Sequence, residues 1–247
     1  MRLTRKRKLI AAAATLLAAG LVASGLWYLV LRDEGAFHFV LPNTGPPPVS
    51  LLDALDSVGN TGVVMPDGAE LTGTWTVVPG ENTFAGYRVG ETLASFGANT
   101  AVGRTTDVEG HLDFDGSAIT GGEITVDLTT LTSDQAARDD SLRDQAIETG
   151  LFPTATFVLT SPVPIAIVPA GGEAVSQTVR GDLTLHGVTR AIEVEVEAAL
   201  HKGMLVVVGS TRIEFADFDI ERPVSFSVLS IEDHGTLEFQ LVFQPNP

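Results

Sequence analysis

From residue 71 onward the chain alternates apolar and polar residues with period two, and the pattern recurs in run after run. Val108, Leu112 and Phe114 alternate with Glu109, His111 and Asp113. Ile124, Val126 and Leu128 alternate with Glu123, Thr125 and Asp127. The same holds for Val179, Leu183 and Leu185 against Arg180, Asp182 and Thr184, and for Ile192, Val194 and Val196 against Glu193, Glu195 and Glu197. Leu237, Phe239, Leu241 and Phe243 close the series. Such alternation sets one face of a strand in an apolar interior and the other in water, as in antiparallel sheets. Adding residues 76–89, 155–160 and 205–213 gives about eight strands. Asp115-Gly116 and His186-Gly187 supply turn chemistry between neighbouring runs. The expected fold is all-β, an antiparallel eight-stranded barrel, with a sandwich as the rival.

One segment breaks the pattern. Residues 132–148 read TSDQAARDDSLRDQAIE and predict a helix between two strands. Thr132 and Gln135 have capping-box spacing, Asp139 precedes Arg143 by four, Gly150 is placed to end the helix and Pro153 to prevent its return.

The N-terminal part is organised differently. Residues 9–31 contain no charged residue and are long enough to cross roughly 30 Å of hydrocarbon. Five of the 15 basic residues (Arg2, Arg5, Lys6, Arg7, Lys8) precede this run, which predicts a cytoplasmic N-terminus. Its small residues (Ala18, Ala19, Gly20, Ala23, Ser24) lie inside the apolar run rather than after it, so an uncleaved anchor is favoured over a signal peptide. The expected organisation is a basic cytoplasmic tail (1–8), a single transmembrane helix (9–31), a Pro/Gly-rich stalk (32–70) and a β-barrel domain (71–247). The protein is then a single-pass membrane protein with its C-terminal domain outside. Within the stalk, Leu51, Leu55 and Val58 have helical spacing.

Charge limits the partners. Ten basic residues remain after the N-terminal cluster, against 31 acidic, so phosphate backbones are repelled and no nucleic-acid partner is expected. There is no cysteine, which removes disulfides, thiolate metal sites and a cysteine nucleophile. No nucleophile elbow, HExxH or phosphate-binding loop is present. His38, His111, His186, His201 and His234 are scattered without ligand spacing. Asp113-x-Asp115-Gly116 resembles the start of a calcium loop, but Ala118 and Ile124 stand where glycine and glutamate are needed. No enzyme activity, cofactor or metal is expected.

Several segments resemble the YceI-like domain family: RDDSLR from Arg138 with FPTATF from Phe152, GDLTLHGVTR from Gly181, and the Asp217-Phe218 pair before the last strand. The GYRV form of the first strand is similar to actinobacterial-type members. The resemblance covers about residues 71–243. It implies a lipocalin-like barrel with a deep apolar tunnel that binds polyisoprenoid lipids in the bacterial cell envelope. The chain departs from the family pattern at Glu81-Asn82-Thr83, where Asp-x-x-His-Ser is usual, at Ser141 in place of histidine, and near Glu214, Phe215 and Ala216, where an arginine is common.

The inward apolar set is Tyr87, Val89, Leu112, Phe114, Ile124, Val126, Phe157, Leu159, Leu183, Leu185 and Phe239. By pattern alone these residues form a closed core. With the resemblance they line a cavity for an isoprenoid or other long-chain lipid. Arg88 and Arg138 are the candidates for an anionic head group, since guanidinium pairs with oxyanions; the alternative is that each pairs with a neighbouring acid. The competing functions are an extracytoplasmic protein-interaction module with a closed core, and a hydrolase whose residues meet only in three dimensions.

Overall fold

The computed structural model describes residues 46–58, 71–165, 174–224 and 228–246. The transmembrane segment predicted at 9–31 lies outside these residues. Among the described residues no helix is long and apolar enough to cross a membrane.

Among the described residues thirteen strands form one antiparallel sheet, and eight of them close on themselves. The ring runs β1 (Gly73–Val77), β4 (Val108–Phe114), β5 (Ala118–Asp127), β7 (Thr154–Leu159), β9 (Val175–Leu185), β10 (Val188–His201), β11 (Met204–Glu214) and β13 (His234–Pro245), which returns to β1 through Trp75↔Pro245 and Val77↔Phe243. Closure excludes the sandwich. β2 (Phe84–Leu93) pairs with β13 further along, and β3 (Gly97–Thr105) and β6 (Thr132–Ser133) extend that wall. Short strands β8 (Val163–Pro164) and β12 (Val228–Ile231) pair with β5 and β2.

Local chemistry explains the breaks. Residues 76–89 are not one strand, because Pro79 lacks an N–H and Gly80 takes φ +138°. Thr83 is fully buried in this break: its Oγ1 donates to the Val78 carbonyl (2.7 Å) and accepts from the Val242 N–H (3.3 Å). The departure from the family pattern at 81–83 thus falls on a joint of the wall. The Asp115-Gly116 turn forms as predicted, with Asp115 Oδ1 accepting from the N–H groups of Ser117 and Ala118. His186 and Gly187 both have positive φ, as do Lys202 and Gly203, and each pair makes a tight hairpin turn.

The helix is shorter than predicted. Helix α2 spans Ala136–Ser141 and runs into a wider π turn over Leu142–Ala146. Thr132 belongs to β6, so no capping box forms. Asp139 is buried and accepts the Ser133 N–H (2.9 Å), while Arg143 pairs with Asp140 instead (2.6 Å). The left-handed residue that ends the element is Glu148 (φ 46°), not Gly150.

Apolar packing occurs inside and outside the ring. Inside, Trp75, Phe114 and Phe243 close one end, and Leu128, Ile147 and Phe218 pack at the other. Outside, helix α1 (Leu51–Val58) lies on the wall with Leu51, Ala54 and Val58 buried against Met204, Val206, Val208 and Val242. Its N-terminus is capped by Ser50, whose Oγ accepts the Asp53 N–H. The polyproline stretch ahead of it is pinned as well. Arg88 donates to the Pro46 carbonyl and Arg104 to that of Pro47 (3.3 Å), and both arginines meet the buried Glu238 carboxylate (2.6 and 2.7 Å). Residues 46–58 are therefore a strap on the barrel rather than a spacer, and they fall in the same compact unit as the strands, Pro42–Pro247.

Ala54→Glu, which places a charge at a fully buried point of the strap, is expected to lower stability by about 2 kcal/mol or more in chemical denaturation. Leu52→Glu, on the exposed face of the same helix turn, is expected to change it by less than about 0.5 kcal/mol.

Candidate functional site: an apolar cavity inside the barrel

Between the two packed ends lies a cavity of about 470 Å³. Its size is that of a site for a small or medium organic ligand. The structure places all eleven residues of the predicted inward set on its wall. Tyr87 and Val89 come from β2, Leu112 and Phe114 from β4, Ile124 and Val126 from β5. β7 supplies Phe157 and Leu159, β9 supplies Leu183 and Leu185, and Phe239 comes from β13. The closed-core reading does not hold.

An eight-stranded barrel is only just wide enough for its own side chains to fill. The space here survives because the largest inward side chains lie along the wall. Phe239 stands directly across from Gly209, and a methyl group at Gly209 would come within 2.5 Å of the Phe239 Cζ. Tyr87 stands across from Gly103, and its ring occupies the space a side chain there would need. Phe157 folds over Gly181 in the same way, and Leu112 over Gly122. Each glycine removes one inward side chain and gives its neighbour somewhere to lie other than the axis.

Sequence reading missed part of the wall. Trp75 lines the cavity from β1, Val194 and Val207 from β10 and β11, and Leu142, Ala146 and Ile147 from the helical segment. The inward parity of β10 and β11 was a usable signal for the strand residues. The contribution of Leu142 and Ala146 follows from their shared helix face.

Polar groups gather at one end. Glu91 on β2 is buried, and its Oε1 accepts from Asn99 Nδ2 (2.7 Å) and Arg138 NH2 (2.7 Å). Arg138 also pairs with Asp134 and donates to Ser133 Oγ (3.3 Å). Partial burial pulls the Arg138 pKa down, but the Glu91 carboxylate, and then Asp134, more than offset it and hold the guanidinium above its ordinary value. The Tyr87 hydroxyl is enclosed without a hydrogen-bond partner. Burial pushes its phenol well above the ordinary range; Arg138 opposes the shift, and Asp139, Glu91 and Asp134 reinforce it.

The two predicted head-group arginines separate. Arg138 lies on the cavity wall, already bonded to two carboxylates. Arg88 does not reach the cavity. It sits between Tyr87 and Val89 in a strand, so its side chain takes the opposite face, where Glu238 and Pro46 hold it. Assigning Arg88 to a head group is therefore corrected. Ser141, at the family's histidine position, also lines the cavity. His186 is buried outside it, its ring bridging the Phe218 carbonyl and the Glu148 carboxylate at 3.0 Å each.

The family of YceI-like domains matches residues 75–243 of this chain. A UPF0312 protein of Vibrio parahaemolyticus is 34% identical over 154 residues, 58% of this chain and 76% of its own length. A UPF0312 protein of Shewanella denitrificans is 30% identical over 139 residues, 52% of this chain and 69% of its own. Among solved structures, a polyisoprenoid binding domain from Saccharophagus degradans, implicated in plant cell wall breakdown, superposes with a TM-score of 0.57 at 19% identity. That similarity spans 70% of this chain and 98% of the other. The match over most of the barrel, the relatives and the shared architecture agree: the chain belongs to the YceI-like domain family.

Proposed function

We propose that the barrel holds one long apolar chain of isoprenoid type, and that residues 9–31 keep it at the outer face of a membrane. The observation that carries the reading is the cavity: apolar over most of its wall, about 470 Å³, and kept open by rings seated against glycines. The superposition on a domain that binds polyisoprenoids supports the same class of ligand. Each CH₂ buried contributes about 0.8 kcal/mol before ordering costs, so a long chain needs no strong polar anchor to be retained.

Binding suits this lumen better than catalysis. Of the acidic and basic side chains on its wall, Glu91 and Arg138 are bonded to each other and Glu238 to two arginines, which leaves none of these three placed to carry protons for a reacting ligand. The basic cluster before residue 9 and the uninterrupted apolar run support an anchored, outward-facing barrel.

Four measurements check this. Organic extract of the gently purified full chain should contain a prenyl-type lipid by mass spectrometry, and an extract free of long-chain lipid would count against the carrier. A prenyl lipid at a hundredfold excess over its dissociation constant should raise apparent stability by about 2.7 kcal/mol. Val126→Trp should abolish that gain while costing less than about 1 kcal/mol in the unliganded protein, whereas a filled core would be overpacked at a cost of about 1–3 kcal/mol. For topology, protease added to intact cells should remove the barrel and leave a small membrane-held fragment. Spontaneous release of an intact domain would indicate a cleaved leader.

A further inference from the structure

The exposed residues of the cavity wall mark its mouth. Among the described residues these are Gln135, Ala137 and Glu221, and the rest of the wall is buried or half-buried. Gln135 directly precedes helix α2, Ala137 lies in its first turn, and Glu221 follows the turn at Phe215–Phe218. Half-buried Leu93, Pro223 and Val228 adjoin them. The far end of the lumen is closed by Trp75, Phe114 and Phe243, so a long chain enters and leaves at the mouth.

Large apolar side chains stand in solvent beside this mouth. Phe96, in the β2–β3 turn three residues beyond Leu93, is 69% exposed; Val224, next to Pro223, is 86% exposed; Leu229, next to Val228, is 69% exposed. β12 is bulged here: Val228 pairs with Leu93 and Ser230 with Thr92, which leaves Leu229 without a ladder partner. The Val224 N–H bonds to Gln145 Oε1 (3.2 Å), which fixes Val224 beside the π turn. Single exposed apolar residues are ordinary, but three from separate elements around one opening mark an interaction surface.

The cargo and the route of the chain favour a bilayer as the partner. A prenyl chain passing between membrane and lumen stays out of water only where the mouth meets the hydrocarbon. The strap descends from the mouth side: Pro46 is bonded to Arg88, at the level of Thr236, and Ser57 to Gln240, nearer the closed end. Arg88 stands five residues before Leu93 in β2, about 17 Å along the strand. The 14 residues 32–45, between the predicted membrane run and the strap, reach at most about 50 Å, so a tether at residues 9–31 allows the mouth to meet the membrane that holds it.

We propose that Phe96, Val224 and Leu229 dock the mouth of the barrel on the surface of a lipid bilayer and present the lumen to its hydrocarbon. This rests on the barrel being a holder of prenyl chains anchored through residues 9–31, and adds the face it turns to the membrane. The contact is apolar rather than electrostatic. Glu221 stands at the mouth and the protein carries a net charge of −16, so anionic lipid weakens the docking instead of strengthening it.

The test uses the full chain reconstituted into phosphatidylcholine vesicles. The protein has no cysteine, so Phe96→Cys, Leu229→Cys and Leu52→Cys each carry a single environment-sensitive fluorophore at one known position. Leu52, 78% exposed on the strap, is the control. Lipid-borne doxyl groups should quench the labels at 96 and 229 at least about twofold more than the label at 52. Replacing part of the phosphatidylcholine by phosphatidylglycerol should reduce that quenching at low salt. In a Phe96→Asp, Leu229→Asp background, a label at Val224→Cys should lose its quenching, while geranylgeraniol binding in neutral detergent micelles stays unchanged. Equal quenching at 52, 96 and 229, quenching that rises with anionic lipid, or a label at 224 indifferent to the two aspartates would overturn the docking. So would shielding of 96 and 229 that vanishes as protein is diluted in lipid, which would assign the patch to a second copy of the chain. Geranylgeraniol binding retained in detergent then leaves the prenyl-chain reading standing, and its absence there would overturn that reading separately.

Discussion

Ring-over-glycine packing is the interaction on which the rest depends. In a closed eight-stranded barrel the inward side chains meet near the axis unless something draws them aside. Here the wall itself does so. Gly103, Gly181 and Gly209 leave gaps in the inward surface, and the rings of Tyr87, Phe157 and Phe239 fold into them. The interior keeps the dispersion contacts of large apolar groups along the wall while leaving the centre empty. The same device seats the Tyr87 ring against Gly103, beside the strand residues that carry Glu91 and the polar end.

The outer surface carries a second constraint. A wall with a large lumen has lost part of its internal packing, and β10, β11 and β13 are covered on their outer side by the strap. Helix α1 buries Val206 and Val242 from outside, while their strand neighbours Val207 and Leu241 line the cavity from inside. Glu238 fastens the polyproline part through two arginines, themselves bonded to Pro46 and Pro47. Breaking a buried pair of this kind is strongly destabilising because it leaves a charge unmatched. Residues 46–58 are thus part of the barrel's own support.

Much of this was legible as alternation. β4, β5, β9, β10 and β13 show apolar residues at alternate positions over much of their length, and the lumen-facing residues of these strands follow from that parity. The same parity excludes Arg88 from the lumen, since it stands between two inward residues. β3 was not legible: GANTAVGRT mixes small, polar and apolar residues on both parities, and its inward Ala101 and Gly103 are small, with the Tyr87 ring in the space beside Gly103. The strap was half legible. Leu51, Leu55 and Val58 mark an apolar helix face, but its partner is signalled only by the unbroken run MLVVV at 204–208, which has no polar face and so must be covered on both sides. The helix start was misread because Thr132 and Gln135 fit a capping box while the β3 edge offered Thr132 a strand partner, and the tertiary pairing won. The pairing of Arg138 with Glu91 joins residues far apart in sequence and could not be read from spacing.

The lumen is open and apolar because its large side chains lie on the wall. A high-resolution crystal structure of the protein co-crystallised with geranylgeraniol tests it most directly. Continuous elongated density should run past Phe239 and Phe157, with both phenylalanine rings still seated over Gly209 and Gly181. A lumen filled by rings turned to the axis, with the lipid absent or held on the outer surface, would contradict it.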